Sequence, residues 1–175
     1  QDMLIGSGAP AAGALHLSDT NLAFLHPGTS LALGSEDAAY TGTTTVSGLI
    51  TVGRATTISG NLVQLTSSSQ LSGPDLTIKA NTLTLDTSSS LTSGASMTIQ
   101  PISSGRGMQI GGTPPNPLGL LYVDVSRITP GTKLTLGSDL STGDINVDGG
   151  LPGSVDLSFR SSGLVSINQP ISTTG

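Results

Sequence analysis

The sequence predicts an all-β chain folded as a parallel β-helix, a β-solenoid of about 20 residues per coil with one loop excursion. Three observations predict it. The first is a unit written twice between Thr57 and Ile99: Thr57-Ile58-Ser59-Gly60-Asn61-Leu62-Val63-Gln64-Leu65 lies over Thr77-Ile78-Lys79-Ala80-Asn81-Thr82-Leu83-Thr84-Leu85 at an offset of 20 residues. Ile58 falls on Ile78, Asn61 on Asn81, Val63 on Leu83, Leu65 on Leu85 and, after a serine-rich link, Leu71 on Leu91. The next Thr-Ile pair, Thr98-Ile99, follows Thr77-Ile78 by 21 residues. The second observation is alternation, as in Leu83-Thr84-Leu85, which marks a strand with one buried face. The third is composition: only 2% of residues are aromatic and there is no Trp, so the core must be aliphatic. A narrow interior filled by ladders of like residues suits that supply, and each coil buries its apolar points only by stacking on its neighbours.

Residues 1–175 read as a single β-solenoid fragment in four stretches. Residues 1–53 are irregular coils: Leu15-His16-Leu17 and Leu31-Ala32-Leu33 alternate, Pro27-Gly28 and Gly34-Ser35 signal turns, and Thr44 to Val52 holds a further strand or two. Residues 54–100 are the regular coils. Residues 101–133 form an insertion, with Met108-Gln109-Ile110 as a strand and then the stiff loop Gly111-Gly112-Thr113-Pro114-Pro115-Asn116-Pro117. Proline lacks the ladder donor, so this loop lies outside the sheets. Leu120 to Ile128 fits either a strand at Leu121–Val125 or one or two helical turns. Residues 134–175 resume the coils: Ile145 falls on Val165 and Val147 on Ile167 at 20, Leu134 on Val155 and Leu136 on Leu157 at 21. About eight coils at ~4.8 Å each make a rod near ~40 Å. No amphipathic cap is evident at the end of the sequence, which suits a fragment of a longer chain; a capping element within residues 1–40 is the alternative.

The net charge is −5, and the six Lys and Arg residues are scattered, which argues against a nucleic-acid partner. No apolar run reaches the ~18–20 residues of a membrane span. With no cysteine there are no disulfides or thiolate metal sites. Asp144-Ile145-Asn146-Val147-Asp148-Gly149 matches the opening of a calcium loop, but position twelve is Val155, so the preferred reading is a strand with Asp144, Asn146 and Asp148 facing water. Thr82 and Thr84 face outward together, as in ice-binding arrays, yet the coil before offers Leu62 and Gln64 there; one outward column, Thr57/Thr77/Thr98, remains. The acid pairs Asp75/Asp86 and Asp144/Asp156 lie on neighbouring coils, without the Arg, His and aromatic company of a glycosidase. His16 and His26 read as surface residues. No catalytic, cofactor-binding or metal residue is assigned, and the chain is not read as an enzyme.

Met97-Thr98-Ile99-Gln100-Pro101-Ile102 through Gly105-Arg106-Gly107-Met108-Gln109-Ile110-Gly111-Gly112 has a distinctive form: a strand, a Gly-Arg-Gly turn, an aliphatic strand and a glycine pair. Its sequel is Ile128 to Gly137, then Gly143-Asp144-Ile145-Asn146-Val147. Over about residues 55–170 the chain resembles large bacterial exoproteins of the filamentous haemagglutinin type. The resemblance implies a right-handed β-helix shaft, export through an outer-membrane secretion partner, and a secreted or bacterial cell-surface location. Such shafts are implied to act in cell attachment or biofilm formation as structural and adhesive segments of a large adhesin. The partner would be a host or bacterial cell-surface glycan or protein. The family's secretion domain carries an Asn-Pro-Asn-Gly type motif; here only Asn116-Pro117-Leu118-Gly119 occurs, so this is read as an interior piece. The binding loop expected on this scaffold is Thr113, Pro114, Pro115, Asn116 and Pro117, because loops on rigid frames tend to carry binding. The alternatives are a carbohydrate-active enzyme or phage tail-spike β-helix fragment, and an ice-binding β-solenoid.

Overall fold

The computed structural model describes residues 1–10, 12–24, 30–39, 41–112, 120–151 and 155–171. They form an all-β chain. In order the strands are β1 Met3–Gly6, β2 Leu15–Leu17, β3 Ser30–Gly34, β4 Thr43–Ser47, β5 Leu49–Thr51 and β6 Ala55–Leu65. Next come β7 Gln70–Gly73, β8 Leu76–Leu85, β9 Ser90–Ser93, β10 Ser96–Gln100, β11 Gly107–Ile110 and β12 Leu120–Val123. The last are β13 Ile128–Thr129, β14 Lys133–Gly137, β15 Ile145–Val147, β16 Asp156–Arg160 and β17 Val165–Ile167. A short helix, α1, spans Asp19–Phe24.

The strands pair in parallel in three sheets. The long sheet runs β16-β14-β10-β8-β6-β4-β1-β2, with β3 also on β6. The second runs β12-β11-β15-β17 and the third β13-β9-β7-β5. From β6 to β10 the chain alternates between the long sheet and the third sheet, so each strand lands beside its predecessor one repeat earlier. Ile58 pairs Ile78, Val63 pairs Leu83 and Leu65 pairs Leu85, as the repeat predicts. Leu71 pairs Leu91, and Thr98-Ile99 pairs Thr77-Ile78.

Parallel registry turns the alternation into columns of like side chains. Leu33, Ile58, Ile78, Ile99, Leu136 and Phe159 stack in one. Leu76, Met97, Leu134 and Leu157 form its neighbour. Ile50, Leu71, Leu91 and Ile128 face them from the third sheet, and Met108/Ile145 and Ile110/Val147 from the second. Apart from Leu157 and Phe159, which are half-buried, all are buried in one aliphatic core. Each such side chain contributes about 1.5–3 kcal/mol by leaving water.

The links repeat as well. Ser69 N donates to Thr66 O at 3.0 Å, and Ser89 N to Asp86 O at 3.0 Å. Ser68 and Ser88 both adopt left-handed φ, 61° and 64°. The asparagines also stack: Asn81 Nδ2 donates to Asn61 Oδ1 at 3.2 Å and to Ser103 Oγ at 2.9 Å, while Ser103 N donates back to Asn81 Oδ1 at 3.0 Å. Asn81 is buried, so its removal strands partners on two layers. Asn81→Ala is expected to cost about 1–3 kcal/mol in urea denaturation, against a small change for the exposed Thr82→Ala; equal effects would deny the ladder its role.

One expected register is corrected and one open segment is settled. Leu134 pairs Leu157 and Leu136 pairs Phe159, not Val155 and Leu157. A slip of two residues keeps every side chain on its face, so alternation alone does not detect it. Residues 120–128 divide: β12 ends at Val123, Asp124 caps the next turn through Ser126 N, and Val125–Arg127 form a 3-10 turn. The strand therefore stops short of Val125. The stretch after the loop joins the second sheet. β12 pairs β11 in parallel and packs against β8, so a piece of the 101–133 stretch builds the frame.

Within residues 1–40, α1 packs against β2, and its Leu22 lies on the core. Ser18 opens the helix, its Oγ accepting from Asn21 N at 3.2 Å. Hydroxyl capping of this kind satisfies a free N-terminal donor. His16 is half-buried, its Nε2 2.8 Å from Gly6 O, rather than free on the surface. The turn signal Pro27-Gly28, and His26, lie outside the described residues.

Candidate binding surface

The expected binding loop, Thr113, Pro114, Pro115, Asn116 and Pro117, lies outside the described residues. Its two anchors are described. β11 ends at Ile110, and Gly111 N donates to Val123 O at 2.9 Å, joining the loop's departure to the strand on which it returns. Beside this anchor Asp148 accepts from Gln109 Nε2 through one oxygen and from Asn168 Nδ2 through the other, the latter at 2.7 Å. Three strands of the second sheet, or the residues just past them, are thus tied across their outward side.

Hydrogen bonds engage the acids of the Asp144–Gly149 motif. Ile145 and Val147 are buried strand positions, as alternation requires. Asp144 Oδ1 accepts from Leu164 N at 2.8 Å, and both oxygens of Asp148 are engaged. Among the described residues no group of three or more His, Asp and Glu side chains gathers to hold a metal ion. The hydrogen bonds from Asn168 and Gln109 hold the Asp148 carboxyl below the usual carboxylate range. Of the acid pairs, Asp75 accepts from Ser96 Oγ and from Ser96 N at 3.0 Å, as Asp144 accepts from Leu164 N.

Those bonds from Ser96, side chain first and backbone second, depress the Asp75 pKa. A depressed carboxylate adds stability that is present above the ordinary value near ~3.9 and lost as pH falls through the folded-state value. The thermal midpoint is therefore expected to drop on acidification below about pH 4. Asp75→Asn should lower the midpoint at pH 7 and shrink that drop; a variant with the parent's full acid dependence would remove Asp75 from the account.

The other surface of interest is the outer face of the long sheet. Its middle column runs Ala32, Thr57, Thr77, Thr98, Thr135, Ser158, extending the predicted threonine column at both ends. Thr82 lies beside Leu62 and Thr84 beside Gln64, so no second threonine column runs there. One margin carries Lys79 and Arg160, each ion-paired: Lys79 Nζ with Glu36 at 2.7 Å and Arg160 Nη1 with Asp139 at 2.8 Å. Lys133 opens β14 on the opposite margin, across from Ser96 and Asp156.

Two hollows open on this face. One, of about 500 Å³, lies over β10 and β14 between Ser96, Thr98, Gln100, Lys133, Thr135 and Arg160. The other, of about 200 Å³, lies between the Glu36–Lys79 pair and residues 100–104. Leu140, 82% exposed, stands at the border of both. Sequence reasoning marked the threonine column of this face but not the hollows on it. Ser96 and Lys133 are 37 residues apart and become neighbours only through the β10–β14 pairing. The legible signal was the Thr-Ile pair of β10, which set its register but not its next neighbour.

No family model, curated protein or solved structure matches this chain.

Proposed function

We propose that this chain is a right-handed parallel β-helix, about 20 residues per coil, serving as a structural and adhesive shaft segment of a large secreted or surface-exposed bacterial adhesin. The observation that carries the reading is the registry itself. Columns of identical or similar side chains run across parallel strands of the long and third sheets, at offsets of 20 or 21 residues from β6 to β10. A stack of this kind is quasi-one-dimensional, each layer contacting its neighbours. Such a rod resists bending and presents lateral surface rather than a deep cleft. The resemblance of residues 55–170 to filamentous haemagglutinin-type exoproteins supports the adhesive role, in cell attachment or biofilm formation.

The experiment is a blot of the source organism with an antibody raised against this chain, on cells and on culture medium. A band of very large mass at the surface or in the medium supports the shaft. A cytoplasmic band near 17.4 kDa sinks it. Deleting residues 113–119 from the parent then tests the loop: unchanged adhesion would move the adhesive role elsewhere on the shaft.

A further inference from the structure

We propose that β16 is a dimerisation edge: two copies of this chain join tail to tail, β16 against β16, antiparallel and centred on Ser158. The proposal concerns this chain by itself and does not depend on the adhesive reading.

β16 stands at one end of the long sheet, and among the described residues its strand partner is β14 alone. An unpaired edge is a template for a further strand. Asp156 N donates back toward β14, to Thr132 O at 2.9 Å. Backbone groups of alternate residues in a paired strand turn to opposite sides, so the N–H and C=O of Leu157 and Phe159 face the open edge.

The core is open at the same end. Leu157 and Phe159 are half-buried, whereas the residues they stack on, Leu134 and Leu136, are buried. β17 stands at the end of the second sheet, and Leu164, Val165 and Ile167 are exposed there. A contiguous apolar patch of this kind marks an interaction site. At the other end of the long sheet α1 packs against β2 and sets Leu22 on the core. A copy stacked head to tail meets that helix, so the open end finds its match in a second open end. Such a contact is isologous and closes at two copies.

The sequence of β16, Asp156-Leu157-Ser158-Phe159-Arg160, fits its own reverse. Paired antiparallel about Ser158, Asp156 lies opposite the partner's Arg160, and Arg160 opposite the partner's Asp156. Leu157 lies opposite the partner's Phe159, and these are the residues whose backbone groups face the edge and can bond across it. A slip of two residues either way keeps the faces but sets both charges against serines. Opposite charges directly across a pair of strands favour the centred register. The neighbouring charges agree with it. Lys133 lies beside Asp156 on β14, and Asp139 pairs with Arg160 at 2.8 Å. The row across the joint therefore reads Lys133, Asp156, the partner's Arg160, the partner's Asp139, alternating in sign.

The test is sedimentation equilibrium of the purified full chain. A dimer of twice 17.4 kDa is expected, dissociating on dilution. Arg160→Asp and Asp156→Arg each set like charges opposite one another at both contacts, and each should weaken the dimer about tenfold or more. Mixing the two variants brings opposite charges together at both contacts and should restore the dimer. The chain has no cysteine, so Ser158→Cys supplies a second reading. Its Cα lies about 4.5 Å from its counterpart in a non-hydrogen-bonded antiparallel pair, within disulfide reach. Mild oxidation should join two copies, whereas Thr98→Cys, in the same outward column but on the interior strand β10, should stay single. A chain that stays monomeric at high micromolar concentration overturns the proposal, and protected Leu157 and Phe159 amides in that monomer would assign the edge to the chain's own residues. A ladder of masses beyond the dimer, the mark of head-to-tail stacking, overturns it too. So does a dimer unchanged by both single variants, or two folded variants that stay apart when mixed. If a charge variant fails to fold, Ser158→Cys decides, and absence of its crosslink overturns the proposal.

Discussion

Ile78→Ala is expected to destabilise the chain by about 2–5 kcal/mol, the range for truncating a fully buried aliphatic side chain. Ile78 has no exposed surface and sits between Ile58 and Ile99 in the longest apolar column. Truncating it opens a void that two rigid neighbours do not fill, because both are held in register by the ladders on either side. The adjacent Thr77→Ala removes an outward, half-buried side chain from the same strand and should cost under about 1 kcal/mol. Urea denaturation of the pair reads the difference directly. If Ile78→Ala cost no more than Thr77→Ala, the stacked column would not be what holds the layers together.

Gly137→Ala is expected to damage the long sheet severely. Gly137 closes β14 with φ +88°, where an L side chain is strained by about 1–2 kcal/mol. A Cβ there would lie 2.2 Å from Arg160 O, the backbone of the paired strand β16, and 3.0 Å from Ile145 Cδ1. Backbone on a paired strand does not step aside as a flexible side chain does. The strain and the overlap together predict a loss of at least about 3 kcal/mol, with β16 released from the sheet first. Gly53→Ala is the matched comparison, since nothing lies within 4 Å of its added Cβ. Hydrogen exchange would locate the loss: weakened protection at 156–160 is expected, and a Gly137→Ala chain with the stability of Gly53→Ala would refute the close approach.

The repeat between Thr57 and Ile99 was legible because its information is local. Each copy carries the same order of apolar, polar and turn residues, so registry of like on like follows from burial alone, and Ile58/Ile78, Val63/Leu83 and Leu71/Leu91 pair as that order requires. The Thr77–Thr98 neighbours and the paired Ile145/Val165 follow for the same reason. Where one layer reaches the next through an irregular stretch, the local order falls silent. Nothing in Lys133-Leu134-Thr135-Leu136 says that its neighbour lies at Ser96 to Ile99, 37 residues back. The hollow over β10 and β14 was illegible for that reason: its two walls come from strands whose adjacency is a property of the sheet.

By itself, then, the sequence determined an aliphatic, all-β chain, the strands of the 57–99 repeat, and which side of each strand faces inward, because alternation and a constant period are written residue by residue. Only the tertiary structure decided that β12 returns beside β11 and against β8, that β16 sits two residues along from its expected register, and that Lys133 shares a face with Thr98 and Arg160. The physical reason is common to all three. A parallel strand is indifferent to shifts of two and to the length of the connection that delivers it, so its place is chosen by which free edge and which unfilled core position the rest of the chain leaves open.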